Sequence, residues 1–353
     1  MEQAAFHFVL RGNPLMCTDF GHGNINYTFL VTTDAGYQYI LQRINKHVFK
    51  NPDKLMQNVI AVSEHIRSKE SGAHNSLHFV QTDEGTYYYT DEMNRFWRCY
   101  EFVGGLCLEA PESDMDFYES AVAFGRFQEQ LADFPADTLH ETIPNFHNTP
   151  ERFKALHNAV EEDACDRVKN VQQELNYLFS KEEEAGTIQR LLEAGSIPLR
   201  VTHNDTKLNN VLLDPKTRKA LCVLDLDTVM PGSSLFDFGD SVRFGAATAE
   251  EDTQELSQME LDLNLFEMYV KGYLNACHSL SKREVELLPE GAITITLELA
   301  SRFMTDYLEG DHYFKTQYPD HNLVRARAQI KLAQDMDKKR YRMQEIVNKY
   351  IEG

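Results

Sequence analysis

The sequence predicts an α+β fold in two lobes: a small β-rich lobe at residues 1–103 and a large, mainly helical lobe at 104–353. Two observations carry this. Short runs of β-branched and aromatic residues, with one helical pattern among them, fill the first hundred positions and end at the breaker pair Gly104-Gly105. Beyond that pair the apolar residues recur at helical spacing, interrupted by one strand-rich island at 199–225. A chain of 353 residues is long enough for two such units.

The elements follow in order. Tyr27–Thr33 and Tyr37–Arg43 flank the turn signal Asp34-Ala35-Gly36 and read as a hairpin. Asn51-Pro52 reads as a helix N-cap followed by a proline in the first turn, and Leu55, Val59, Val62 and Ile66 then make one apolar stripe. Phe79–Thr82, Thr86–Thr90 and Phe96–Phe102 read as short strands. Helices are expected at about 114–133, 151–164, 166–194, 251–278, 282–308 and 323–351.

Composition bounds function. The net charge of −20 argues against non-specific nucleic-acid or anionic-membrane binding, and no obligate protein partner is evident. No apolar run approaches the ~20 residues that span a bilayer, and the first fifteen residues lack the pattern of a signal peptide. The six cysteines form no CxxC pair, so the expectation is a cytoplasmic protein with scattered thiols. None of them starts the CxPxR pattern of a sulfatase.

The chemistry is densest between Thr202 and Asp225. A β-propensity run enters a loop that holds His203, Asp205, Lys207 and Asn210. A second run leaves it, Pro215–Lys219 turn the chain, and Asp225 ends the next strand. Counted from Asp205, Lys207 stands at +2, Asn210 at +5 and Asp225 at +20. This spacing resembles the kinase catalytic loop HxDxKxxN with a metal-binding aspartate at the end of the following hairpin. Phosphoryl transfer has a loose transition state, so a protein mainly positions groups and neutralises charge. In that reading Asp205 orients the attacking hydroxyl and Lys207 meets the γ-phosphate of ATP. Asn210 and Asp225 hold Mg²⁺, which keeps waters and phosphate oxygens and needs few protein ligands. A polar hairpin loop without chemistry would not place four groups at these intervals.

Asp237-Phe238-Gly239 spells the metal-binding triplet of protein kinases. It stands 32 residues after Asp205, beyond a loop expected to be flexible at Pro231–Ser234. Asp237 is therefore expected to brace the catalytic loop by hydrogen bonds, while Asp227 stays open between a second metal contact and a polar strand end. Gly21 and Gly23 precede the first hairpin strand, where glycines let backbone N–H groups approach a triphosphate. Kinase-like folds usually carry a cation on the third strand. Here Gln42 occupies that place and Arg43 falls on the opposite face, so Arg43 serves as the nucleotide-binding cation only if the register shifts, with Glu64 as its natural ion-pair partner.

Taken together the motifs resemble the aminoglycoside phosphotransferase and choline kinase superfamily, and within it the N-acetylhexosamine 1-kinases. The resemblance runs from Gly21 to the C-terminal helix. Its most specific pieces are Ser196–Asn210, Leu224–Gly232, Phe236–Ala246 and Arg302–Asp311. It implies a protein-kinase-like bilobal fold and ATP-dependent phosphorylation of the anomeric hydroxyl of N-acetylglucosamine or N-acetylgalactosamine. It also implies that Asn24, Asp205, Arg302 and Tyr313 line the sugar pocket, although Asn24 stands where a histidine is expected. An Arg fork and a Tyr ring suit sugar hydroxyls and an acetamide. The alternative is a phosphotransferase of the same fold for another small alcohol, of the choline, homoserine or aminoglycoside type.

Overall fold

The computed structural model describes residues 2–21, 26–69 and 76–351. A one-turn helix, α1 (Glu2–Ala5), precedes a five-stranded antiparallel sheet. Its strands are β1 (Pro14–Asp19), β2 (Tyr27–Thr33), β3 (Gln38–Ile44), β4 (Tyr89–Thr90) and β5 (Phe96–Glu101), in the order β1-β2-β3-β5-β4. The helix α2 (Pro52–Lys69) lies between β3 and β4 in sequence. The Asn51 side chain accepts the Lys54 N–H at 3.1 Å and so caps it.

Alternation assigns the two faces of the sheet. Phe29, Val31, Tyr39, Leu41, Trp97 and Cys99 pack into one core with α1. Thr28, Ile40, Gln42, Arg98 and Tyr100 point the other way, into a cleft. Leu55, Val59, Val62 and Ile66 on α2 are buried as their spacing predicts, at about 1.5–3 kcal/mol of transfer free energy each. They share that core with Phe127, Leu131, Leu226 and Val229 from the chain beyond Gly105.

The chain beyond Gly105 is mainly helical: α3 (Asp114–Gln130), α4 (Thr149–Glu162), α5 (Gln172–Ala185), α6 (Thr187–Glu193), α7 (Ser234–Gly245), α8 (Leu263–Ala276), α9 (Lys282–Glu286), α10 (Leu288–Glu309) and α11 (His321–Ile351). The strand-rich island becomes two ribbons. β6 (Arg200–Thr202) pairs with β9 (Met230–Gly232), and β7 (Val211–Leu213) pairs with β8 (Ala220–Val223). Helix α10 is buried along nearly its whole length and forms the hub of the lobe. The crossing from the sheet runs through Gly104-Gly105, after which Leu106 and Leu213 exchange backbone hydrogen bonds of 2.8 and 2.9 Å. A Cβ on Gly105 would run into Leu212.

Several expectations need correction. The helix expected over 166–194 breaks at Gly186 into α5 and α6. The strand expected over 86–90 shrinks to β4, and Phe79–Thr82 makes only isolated bridges, Phe79 to Tyr100 and Thr82 to Phe8. The helix expected over 251–278 starts only at Leu263. Strand β1 escaped notice because it is half-exposed on both faces and shows no alternation. Pro231–Gly232 is not a flexible loop, since it belongs to β9 and is held by the ladder to β6. None of the helices described is long and apolar enough to cross a membrane, and among the described residues no disulfide joins the cysteines.

Candidate active site

A cleft of about 520 Å³ opens between the sheet and the β6–β9 region. Asp205, Lys207, Asn210 and Asp225 line one wall, and Gly21, Gln42 and Arg98 line the other. The four residues of the kinase-like spacing thus meet in one place. Gly23 and Asn24 lie outside the described residues.

The loop that holds Asp205 is fixed from behind. His203 is fully buried, and its Nε2 faces the Leu224 carbonyl oxygen at 2.8 Å. That oxygen can only accept, so Nε2 carries the proton and Nδ1 accepts the Asp205 N–H at 3.3 Å. Asn204, at φ 66°, donates its amide to the Thr228 carbonyl at 2.8 Å. Asp237, on α7, accepts the N–H groups of His203 and Asn204, both at 2.8 Å, and the Gln128 amide at 3.1 Å. It is the brace expected from its position. The neighbouring Gly239 serves helix packing: a Cβ there would run into the Gly291 carbonyl of α10.

Asp205 itself is half-exposed. Lys207 Nζ lies 3.0 Å from its Oδ1, and Asn210 Nδ2 donates to its Oδ2 at 3.1 Å and its carbonyl at 2.8 Å. Those bonds leave Asn210 Oδ1 as the oxygen available to a cation. Asp205, with Asp240 behind it, raises the Lys207 ammonium above its ordinary value and keeps it charged. Asp225 sits at φ 53° and opens onto the solvent of the cleft. The enclosing walls, then the carboxylates of Asp227 and Asp205, push its carboxyl up to about 7. Among the described residues no group of three or more His, Cys, Asp or Glu side chains forms a metal cage. An amide oxygen beside an undercompensated carboxylate is nevertheless a donor set that fits a hard divalent cation shared with phosphate oxygens.

This shift has a sign for stability. The folded state keeps a proton that the unfolded chain, at an ordinary value of 3.8, has already lost. Stability from this group therefore falls as pH rises from about 4 through about 7, and stays low above. In a chelator, Asp225→Asn should melt above the unsubstituted protein at pH 8, and the gap should close as the pH falls to about 4. Scanning calorimetry at both pH values checks this, and equal melting at pH 8 would refute the cost assigned to the carboxylate.

Asp227 proves to be a link between the lobes. It pairs with the buried Arg98 of β5 and accepts the Asn26 amide at 2.6 Å. Asn26 Oδ1 in turn accepts the Asn45 N–H at 3.0 Å. Burial disfavours the Arg98 guanidinium, but the attraction and hydrogen bond of Asp227, with Tyr100 and Asp225 nearby, together raise it above its ordinary value and keep it charged. Arg43 does not line the cleft. It stacks on the Tyr27 ring, 3.9 Å from the centroid, and Glu64 accepts the Tyr87 hydroxyl instead.

Arg302 and Tyr313 also lie off the cleft lining. The Arg302 guanidinium, on α10, is surrounded by the rings of Phe146, Phe314 and Tyr313 at 5.3, 5.6 and 5.9 Å. Tyr313 is 66% exposed. Asp306 does not pair with Arg302, because it accepts the backbone N–H groups of His312, Tyr313 and Phe314. The ionic neighbour of Arg302 is Glu298, at 3.7 Å. Glu298 is bound by Thr149 and His147, both at 2.8 Å, and His147 Nε2 reaches the Asn204 carbonyl at 3.4 Å. A relay of contacts thus joins Arg302 to the residue before Asp205. Neither Arg98 nor this Glu298–His147 relay was found from sequence. The only signals were a lone Arg in an aromatic strand and a Glu inside the apolar middle of α10.

Fold and site together define a kinase-like phosphotransferase. The chain belongs to the phosphotransferase enzyme family, whose model matches residues 17–274. Its fold is similar to that of amicoumacin kinase solved with AMP-PNP and Ca²⁺, at 12% identity and a TM-score of 0.65 over 96% of this chain and 92% of that one. A microcompartment-associated aminopropanol kinase matches at 16% identity and a TM-score of 0.61, with 97% of each chain covered. Choline kinase from Cryptosporidium parvum matches at 12% and 0.55, over 96% and 93%.

Proposed function

We propose that this phosphotransferase moves the γ-phosphoryl group of ATP to the C1 hydroxyl of an N-acetylhexosamine, with Mg²⁺ as cofactor. The observation that carries the reading is the convergence of Asp205, Lys207, Asn210 and Asp225 on one wall of the cleft. Bound between Asn210 and Asp225, Mg²⁺ would neutralise charge on the phosphates. Asp205 accepts the proton of the attacking hydroxyl as its oxygen bonds to the γ-phosphorus and the bond to the β-phosphate oxygen breaks. Lys207 meets the negative charge carried by the transferring group. Gly21 lies where its backbone can approach the triphosphate.

The acceptor reading rests on the resemblance and on Arg302. A guanidinium ringed by aromatic side chains and tied to the Asp205 loop is suited to ring oxygens and an acetamide, and less to a cationic alcohol. The sugar would present C1 to Asp205 and its far side to Arg302, with Tyr313 beside it. Two measurements test this. A coupled ADP-release assay over N-acetylhexosamines, choline, homoserine and aminoglycosides, with the phosphate located by NMR, should find the anomeric phosphate. An O1-methyl sugar should bind without reacting, and phosphate at C6 would refute the regiochemistry alone. Arg302→Ala should raise KM and lower kcat together, because remote binding energy holds the hydroxyl in line. An unchanged kcat/KM would remove Arg302 from the site.

A further inference from the structure

We propose that Arg98, on β5, grips the nucleotide phosphates in the place where a third-strand cation would stand. This rests on the kinase reading above and names the residue on the sheet side of the cleft that completes it.

The ladder supplies the geometry. Gln42 and Arg98 are register partners across β3 and β5, so both side chains leave the same face of the sheet. Directly paired residues have Cβ atoms about 4.5–5.5 Å apart, so a long side chain from β5 delivers its charge close to where one from β3 would. Gln42 has no charge and serves as a positioning residue. Its Oε1 accepts Arg98 Nε and Nη2 at 2.9 and 2.7 Å, while its Nε2 donates to Thr28 Oγ1 at 3.1 Å, which fixes the amide orientation. Asp227 accepts from Nη1. Three of the five guanidinium N–H groups are thus engaged among the described residues, leaving one each on Nη1 and Nη2. Two parallel donors on a planar fork match two phosphate oxygens.

Charge leads to the same residue. The cleft presents Asp205, Asp225 and Asp227, and a polyphosphate adds further negative charge. Arg98 and Lys207 are its only Lys or Arg side chains among the described residues, and Lys207 stands on the opposite wall, paired with Asp205. Arg98 is 2% exposed, so its field is weakly screened by water.

Removing Arg98 alone would strand the Asp227 carboxylate, so two variants are compared. Arg98→Lys keeps the ion pair, and the double variant Arg98→Gln/Asp227→Asn removes both buried charges. ADP and adenosine are titrated by calorimetry into each protein, with a chelator present so that no metal contact enters. Loss of a charge-assisted pair should weaken ADP binding about tenfold or more in the double variant, and by a smaller factor in the Lys variant. Adenosine affinity should stay within about twofold of the unsubstituted protein, which a merely structural role would not produce. Unchanged ADP affinity in both variants, or a parallel fall for adenosine, overturns the assignment and leaves the kinase reading standing. Failure of the unsubstituted protein to bind either compound overturns both.

Discussion

Asp205→Asn should fold normally and lose ~10²–10⁴ in turnover, the range typical of a general base. The loop does not depend on the carboxylate for its shape. The Asp205 backbone N–H is held by His203, its carbonyl by Asn210, and the two preceding N–H groups by Asp237. An amide of equal size therefore keeps the scaffold and removes only the proton acceptor. Lys207 loses its ionic partner but retains the field of Asp240. The expected signature is a collapse of kcat with nucleotide affinity and melting temperature nearly unchanged. Coupled ADP release and thermal melting, measured on the same preparation, check it. Near-normal turnover would remove Asp205 from the reaction.

Where local chemistry repeats in the chain, the structure was legible beforehand. The β2–β3 hairpin, the Asn51-capped helix and the Asp205–Asp225 spacing each rest on turn residues, periodicity or short fixed intervals, which tertiary packing seldom overrides. The separation of Asp225 from Asp237 was legible for the same reason. One ends the β7–β8 ribbon beside Asn210, and the other starts a helix behind the loop.

What escaped reading depends on contacts between distant strands and helices. Arg98 meets Gln42 only because β5 pairs with β3, 56 residues away, and that partnership leaves no local mark. Asp227 became intelligible for the same reason, as the far end of an Arg98 pair spanning 129 residues. The relay from Arg302 through Glu298 and His147 joins α10 to the segment before α4, again through packing rather than spacing. Arg302 and Tyr313 also lie beyond the stretch matched by the family model, residues 17–274. The matched stretch carries the residues proposed for phosphoryl transfer, while those proposed to choose the acceptor lie on α10 and the turn after it. A common chemistry with varied acceptors follows naturally from that division.

The second large effect separates the two aspartates. Asp225→Ala should abolish metal-dependent turnover while changing stability little, because deleting a carboxylate whose charge is disfavoured by the walls around it and by Asp227 and Asp205 offsets the cost of an alanine at φ 53°. Asp237→Ala should do the reverse. It strands the N–H groups of His203 and Asn204 and one N–H of the Gln128 amide, whose other donor goes to the Val201 carbonyl, in a region closed to water. Each buried unsatisfied donor costs about 1–3 kcal/mol, so the sum is on the order of 3 kcal/mol or more and several degrees of melting temperature. Residual activity should survive at low temperature, since Asp237 does not line the cleft. Metal titration, melting and turnover on both variants distinguish the roles. A structure with Mg²⁺ and nucleotide that placed the ion on Asp237 would falsify the assignment drawn from the hairpin.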